Sequence, residues 1–173
     1  DPKKIRKKYD TPAHPWQKGR IDEEKVLKRE YGLKNKRELW IVVSKLKNFK
    51  GQLKKLNALS GPQAEKEKEQ LRNKLLSLGL IMQDSPLNTV LGLEKKDLMD
   101  RRLQTIVFKK DLARSIDQAR QFIVHRHITI NGKKVTSPAH LVTVSDEATV
   151  SFIQTSALSD PNHPERYEEV PKD

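Results

Sequence analysis

The chain has 173 residues, of which 34% are charged and only 35% hydrophobic, with a formal net charge of +12 and a pI of about 9.8. That length allows one domain or two small ones with a lean core, and the charge makes a nucleic acid the first partner to consider. The absence of cysteine excludes disulfides and thiolate zinc sites, and no run of about 18 apolar residues is present to span a membrane.

The charge is segregated. Residues 1–20 hold seven Lys and Arg against two Asp, residues 101–134 hold nine against two acids, and residues 145–173 reverse the balance with seven acids against two bases. Two basic surfaces and one acidic tail are expected. The start, Asp1-Pro-Lys-Lys-Ile5, lacks the apolar core of a signal peptide, so a soluble intracellular protein is the expectation.

Residues 1–20 set Pro2, Pro12, Pro15 and Gly19 among the bases, with Tyr9, His14 and Trp16 interleaved. Prolines at that density oppose a helix. The segment reads either as a disordered basic tail or as an arm that orders on RNA, phosphates meeting Lys and Arg while flat rings stack on bases. The arm reading is preferred because charge and aromatics occur together.

Residues 21–99 read as a helical body. Asp22 is the expected cap of a short helix through Tyr31, closed by Gly32. Asn35, with Glu38 three residues on, caps a longer helix in which Leu39, Val42, Leu46, Phe49, Leu53 and Leu56 form a heptad stripe. Gly61-Pro62 ends that helix and starts another, striped by Leu71, Leu75 and Leu78 and stopped by Gly79. The short connection favours an intramolecular antiparallel helix hairpin over an intermolecular coiled coil. Ser85-Pro86 opens a further helical segment.

Residues 100–155 read as an α+β module. Ser115 is a helix N-cap and Gln118 completes a capping box; Ile116, Ala119, Phe122 and Ile123 share one face, opposite Asp117, Gln121 and His125. Ile128–Ile130 alternates as a strand, and Asn131-Gly132 supplies a type I′ turn before Lys133 and Lys134. Leu141–Val144 and Thr149–Ile153, separated by Ser145–Ala148, read as a second hairpin. Residues 156–173 are expected to be an acidic tail without a core of its own.

Catalytic chemistry finds little support. His125-Arg-His127 invites a metal, but two ligands need others and no Cys exists, so no metal or cofactor is expected. No P-loop or dinucleotide fingerprint occurs among the seven glycines. Glu65, Glu67 and Glu69 alternate with lysines as on a solvated face. Acids available to Arg101, Arg102, Arg114 and Arg120 are Asp97, Asp100 and Asp117, too few for the whole basic set.

Several motifs carry a resemblance. Asp100-Arg-Arg-Leu103, Ala113-Arg-Ser-Ile116, Ala119-Arg-Gln121 and Ile128-x-Ile-Asn-Gly132 resemble the RNA-binding module named after the fourth small-subunit ribosomal protein. That module also occurs in RNA-modifying enzymes and a tyrosyl-tRNA synthetase. Arg6-Lys-Lys-Tyr9, Thr11-Pro12, Pro15-Trp16, Glu30-Tyr-Gly-Leu33, Asn35-Lys-Arg-Glu38, Leu91-Gly-Leu93 and Arg101-Arg-Leu-Gln-Thr105 extend it to that ribosomal family, in its archaeal and eukaryotic form, over roughly residues 5–153.

The resemblance implies a non-catalytic protein that binds small-subunit ribosomal RNA at a multi-helix junction and supports assembly. It also implies a place near the mRNA entry path, beside small-subunit protein five, with an influence on decoding accuracy. No membrane and no homo-oligomer are expected. Some relatives carry a zinc-binding N-terminus, which this cysteine-free chain cannot reproduce. An enzyme bearing the module would need a catalytic domain, and a free regulatory RNA binder would not need the N-terminal motifs.

The candidate rRNA-contacting residues are then Lys3, Lys4, Arg6, Lys7, Lys8, Tyr9, His14, Trp16, Lys18 and Arg20 in the arm, and Lys34, Lys36 and Arg37 in the body. In the module they are Arg101, Arg102, Arg114, Arg120, Gln121, His125, Arg126, His127, Asn131, Lys133 and Lys134.

Overall fold

The structure, a computed structural model, describes residues 7, 9–160 and 163–166. Its elements in chain order are α1 (Lys18–Glu30), α2 (Lys36–Ala58), α3 (Pro62–Ser77), a 3-10 turn (Leu87–Gly92), α4 (Lys95–Asp100), α5 (Leu103–Lys109), α6 (Ile116–Val124), β1 (Ile128–Ile130), β2 (Lys133–Lys134), α7 (Val144–Thr149), β3 (Ser151–Phe152) and a last 3-10 turn (Ala157–Ser159). The fold is α+β: mostly helical, with one small antiparallel sheet. The described residues form two compact units, one from those up to 76 together with 80–98 and the other from 77–79 together with those from 99 onward.

In the first unit the heptad stripe of α2 is buried as expected: Leu39, Val42, Leu46, Phe49, Leu53 and Leu56 all lie in the core. Asn35 caps the helix, its Oδ1 accepting the Glu38 N–H at 3.2 Å. Leu71 and Leu75 of α3 are buried too, and the Lys74 ammonium stands 5.5 Å from the Phe49 ring centroid, as a helix hairpin requires. α1 begins one turn earlier than Asp22. Gln17 occupies the N-cap without a side-chain bond, and Asp22 pairs with Lys25 at 3.2 Å on the helix surface. Between Trp16 and Tyr31 there is no proline, so the helix runs back until Pro15 stops it. It ends as predicted at Gly32, whose φ of +53° lets the Leu33 N–H reach the Lys28 carbonyl at 2.9 Å.

Residues 9–17 make contacts with α1 and α2. The Asp10 N–H donates to Ser44 Oγ at 2.9 Å, the Tyr9 ring lies 6.1 Å from that of Trp40, and Arg20 donates to the carbonyls of His14 and Pro15. Trp40 thus anchors this segment, whereas Trp16 remains 90% exposed.

In the second unit β1 is the central strand of the order β2-β1-β3. Thr129 pairs with Lys134 and Ile130 with Lys133 on one side; Ile128 pairs with Phe152 and Thr129 with Ser151 on the other. Leu103, Ile106, Val107, Ala119, Phe122, Ile123, Ile128 and Val150 form the core between this sheet and the helices.

Two sequence readings are corrected. The second hairpin does not form. Thr143 Oγ1 accepts the Asp146 N–H at 3.1 Å, capping a helix where a turn was expected. Leu141 instead bridges Arg102, and Ser151-Phe152 joins β1. The missed signal is Thr143-x-x-Asp146, a helix-start pattern that satisfies otherwise orphaned N–H groups. The start of the acidic segment is also not free of core: Leu158 is 4% exposed and packs within the apolar cluster of the module.

Candidate nucleic-acid interface

The basic surface is built on α6 and the hairpin that follows. Ser115 Oγ accepts the Gln118 N–H at 3.1 Å, fixing the start of α6. The capping box closes one residue early: Gln118 Oε1 accepts from the Arg114 N–H at 2.7 Å rather than from Ser115. Ala119, Phe122 and Ile123 are buried, which leaves Asp117, Gln121 and His125 exposed on the opposite face.

The helix ends in a Schellman turn. The His127 N–H bonds the Phe122 carbonyl at 3.0 Å and the Arg126 N–H bonds that of Ile123 at 3.1 Å, which places Arg126 at φ +67°. An arginine in that left-handed conformation costs about 1–2 kcal/mol. The turn holds the His125 and His127 rings in a stack, centroids 6.3 Å apart, with His127 Nδ1 2.8 Å from Ser156 Oγ. Among the described residues no group of three or more His, Cys, Asp or Glu is placed to hold a metal ion.

Asn131 and Gly132 have φ of +51° and +73°, the pair of positive values a type I′ turn needs. The turn is braced from outside. Asn131 Nδ2 donates to Asp146 Oδ1 at 2.7 Å, and the Asn131 N–H donates to Thr149 Oγ1 at 3.2 Å. Hydrogen bonds from Thr143 and Asn131 hold the Asp146 carboxyl below its usual range. The amide of Asn131 therefore serves the turn, while Lys133 and Lys134 are exposed on the outer strand. The Val135 N–H bonds the Ile128 carbonyl at 3.2 Å, so β2 runs back towards the end of β1 that adjoins Arg126 and His127. Arg126, Lys133 and Lys134 are exposed cations carried on the capped helix and the braced hairpin, with the exposed His125 next to Arg126.

The other sequence-selected residues divide by environment. Arg120 is half-buried at the edge of α6 and its Nη1 donates to Gln104 Oε1 at 3.2 Å. Gln104, passed over in the sequence, is fully buried and donates in turn to the Ile116 carbonyl at 2.9 Å. The signal was a lone amide inside the apolar run Leu103–Val107. Arg101 pairs with Glu147 at 2.8 Å and donates to the Val142 carbonyl at 3.1 Å. Arg102 is 1% exposed beside Met99, so its guanidinium is a core group and not a surface contact. An isolated antiparallel bridge pairs its backbone with Leu141.

Arg114 is exposed but already engaged: its guanidinium donates to the carbonyls of Pro164 and Arg166. In the first unit Lys7, His14, Trp16, Lys18, Lys34 and Arg37 are exposed. Arg20 and Lys36 both pair with the buried carboxylate of Glu24, the latter at 3.3 Å. Lys3, Lys4, Arg6 and Lys8 lie outside the described residues.

Among the described residues no helix is long and apolar enough to cross a membrane. Residues 101–147, which span α5, α6, β1, β2 and the first part of α7, match the family model described as the S4 domain. The similarity to whole proteins is wider. The chain is 46% identical over 167 residues to the small ribosomal subunit protein uS4 of Methanococcus maripaludis strain S2, covering 96% of this chain and 94% of that one. It is 43% identical over 171 residues to the uS4 protein of Methanococcus aeolicus, covering 98% and 97% respectively. The uS4 protein of Methanococcus vannielii is also 43% identical, over 167 residues. Because the match runs through the helical unit as well as the basic module, the chain belongs to the uS4 family of small ribosomal subunit proteins, in its archaeal form.

Proposed function

We propose that the protein is a non-catalytic structural component of the small ribosomal subunit that binds small-subunit ribosomal RNA directly. The observation that carries this reading is the exposure of Arg126, His125, Lys133 and Lys134 on a capped helix and a braced turn. Arg126, Lys133 and Lys134 there present cations to phosphate oxygens, which supply most of the affinity and the salt dependence of RNA binding. The exposed Trp16, beside His14 and Lys18, adds a ring free to stack on a base.

The finer parts of the reading rest on family resemblance. The RNA target is a multi-helix junction, and binding there supports assembly of the subunit in the cytoplasm. The bound protein lies near the mRNA entry path, beside small-subunit protein five. An RNA-modifying enzyme that merely carries the module is disfavoured, because the similarity to ribosomal relatives covers 96% of the chain rather than the module alone.

The test is sedimentation of the tagged chain with ribosomal subunits after a moderate-salt wash, followed by crosslinking of the bound RNA. Retention on small subunits, with crosslinks from these cations to ribosomal RNA, is the expected result. Loss of the chain to the free fraction, or crosslinks confined to non-ribosomal RNA, would overturn the proposal.

A further inference from the structure

The engagement of Arg114 points to a device within the RNA-binding module. Residues 163–166 form a compact turn against the start of α6. The Arg166 N–H bonds the His163 carbonyl at 2.9 Å, and the Glu165 N–H bonds His163 Nδ1 at 3.2 Å. From this turn three successive carbonyls meet side chains of the module. Those of Pro164 and Arg166 accept from the Arg114 guanidinium, and that of Glu165 accepts from Gln118 Nε2 at 3.2 Å. The Arg166 guanidinium carbon lies 5.4 Å from the Phe152 ring centroid, and its Nη1 reaches the Ser159 carbonyl. A turn anchored at both ends thus places neutral acceptors on the Arg114 fork.

Resting on the reading that this module binds RNA, we propose that residues 163–166 are a latch, self-occupying a phosphate subsite formed by Arg114 and Gln118. The carbonyls stand where phosphate oxygens would stand. A charged acceptor forms a bond about twice as strong as a neutral one, so a phosphate held in place by the rest of the interface displaces the turn. A loosely held polyanion must give up its weak contacts elsewhere to do the same. The latch therefore filters non-specific RNA and opens on RNA that fits. Glu165 beside the subsite acts in the same direction by repelling a phosphate that arrives unaided.

The full chain, a variant ending at Asp160 and the full-length Arg166→Ala variant are compared in binding poly-U and a small-subunit ribosomal RNA fragment across a salt series. Ending at Asp160 retains the buried Leu158. Thermal melts confirm that each variant is folded. Arg166→Ala removes a positive charge, so charge alone predicts weaker binding, whereas the latch predicts poly-U affinity raised by about threefold. Opening the latch should also steepen the poly-U salt slope by roughly 0.7, one more phosphate contact on a single strand. Adding Arg114→Ala to either variant should abolish both gains. The ribosomal fragment should gain less than poly-U.

A gain that survives Arg114→Ala, or no gain in folded variants, overturns the latch. Failure of the full chain to bind the ribosomal fragment at all overturns instead the proposed function.

Discussion

The indole N–H of Trp40 donates to the carboxylate of Glu24 at 3.1 Å, and that contact joins α2 to α1. Arg20 and Lys36 complete the set around the same buried group. Burial on its own would raise the Glu24 pKa, but the hydrogen bonds from Trp40, Arg20 and Lys36 and the Arg20 charge outweigh it, so the pKa is lowered. A carboxyl depressed in the folded state contributes stability that is present above its unfolded pKa. That contribution is lost as pH falls below about 4.5, the ordinary value, and through the lower folded one. Acid titration of the wild type should show this loss, and Glu24→Gln should remove that part of the pH dependence. At neutral pH Glu24→Gln should cost about 2 kcal/mol, below the range for a fully buried pair because Arg20 and Lys36 reach solvent.

Arg126 separates folding from binding. Its left-handed conformation at the end of α6 favours glycine, so Arg126→Gly should stabilise the protein by about 1 kcal/mol. The same change removes an exposed cation, so RNA affinity should fall and the salt slope should lessen by roughly 0.7 to 0.9. Denaturant melts and salt-titrated binding should move in opposite directions. Equal affinity for RNA would show that Arg126 faces away from it.

Gly132 meets nothing within 4 Å of an added Cβ, so substitutions there probe the backbone alone. At φ +73° a β-branched residue is strained, and Gly132→Val should destabilise by about 1 kcal/mol or more. Gly132→Asn should cost less, because Asn tolerates this region. RNA affinity should fall in the same order as the melts, since the turn aims Lys133 and Lys134.

Leu158 tests the boundary of the module. Leu158→Ala should cost about 2–4 kcal/mol, the usual penalty for a buried leucine. Ending the chain at Ser156 should destabilise similarly, while ending it at Asp160 should leave the melting temperature nearly unchanged. Equal stability of the two truncations would place Leu158 outside the core.

Local features were legible in the sequence because their physics is local. The Asn35 and Ser115 caps each act within three residues, and the Asn131-Gly132 turn needs only positive φ at two neighbours. The heptad stripe of α2 is equally a property of spacing along one helix. Thr143 followed the same rule, but alternating Val and Thr around it suggested strands and hid the cap.

What only the tertiary structure decided is which partner each strand and each cation takes. Leu141 pairs with Arg102 and Ser151 with Thr129, over separations that no local pattern encodes. Arg101 and Arg102 are neighbours of the same type, yet one reaches Glu147 and the other is enclosed beside Met99. Composition determined that this chain is a cationic binder with a lean core. The long-range packing around β1 determined which of its cations face outward, since burying a guanidinium or leaving it in water depends on the chain segments that fold over it and not on the residues beside it.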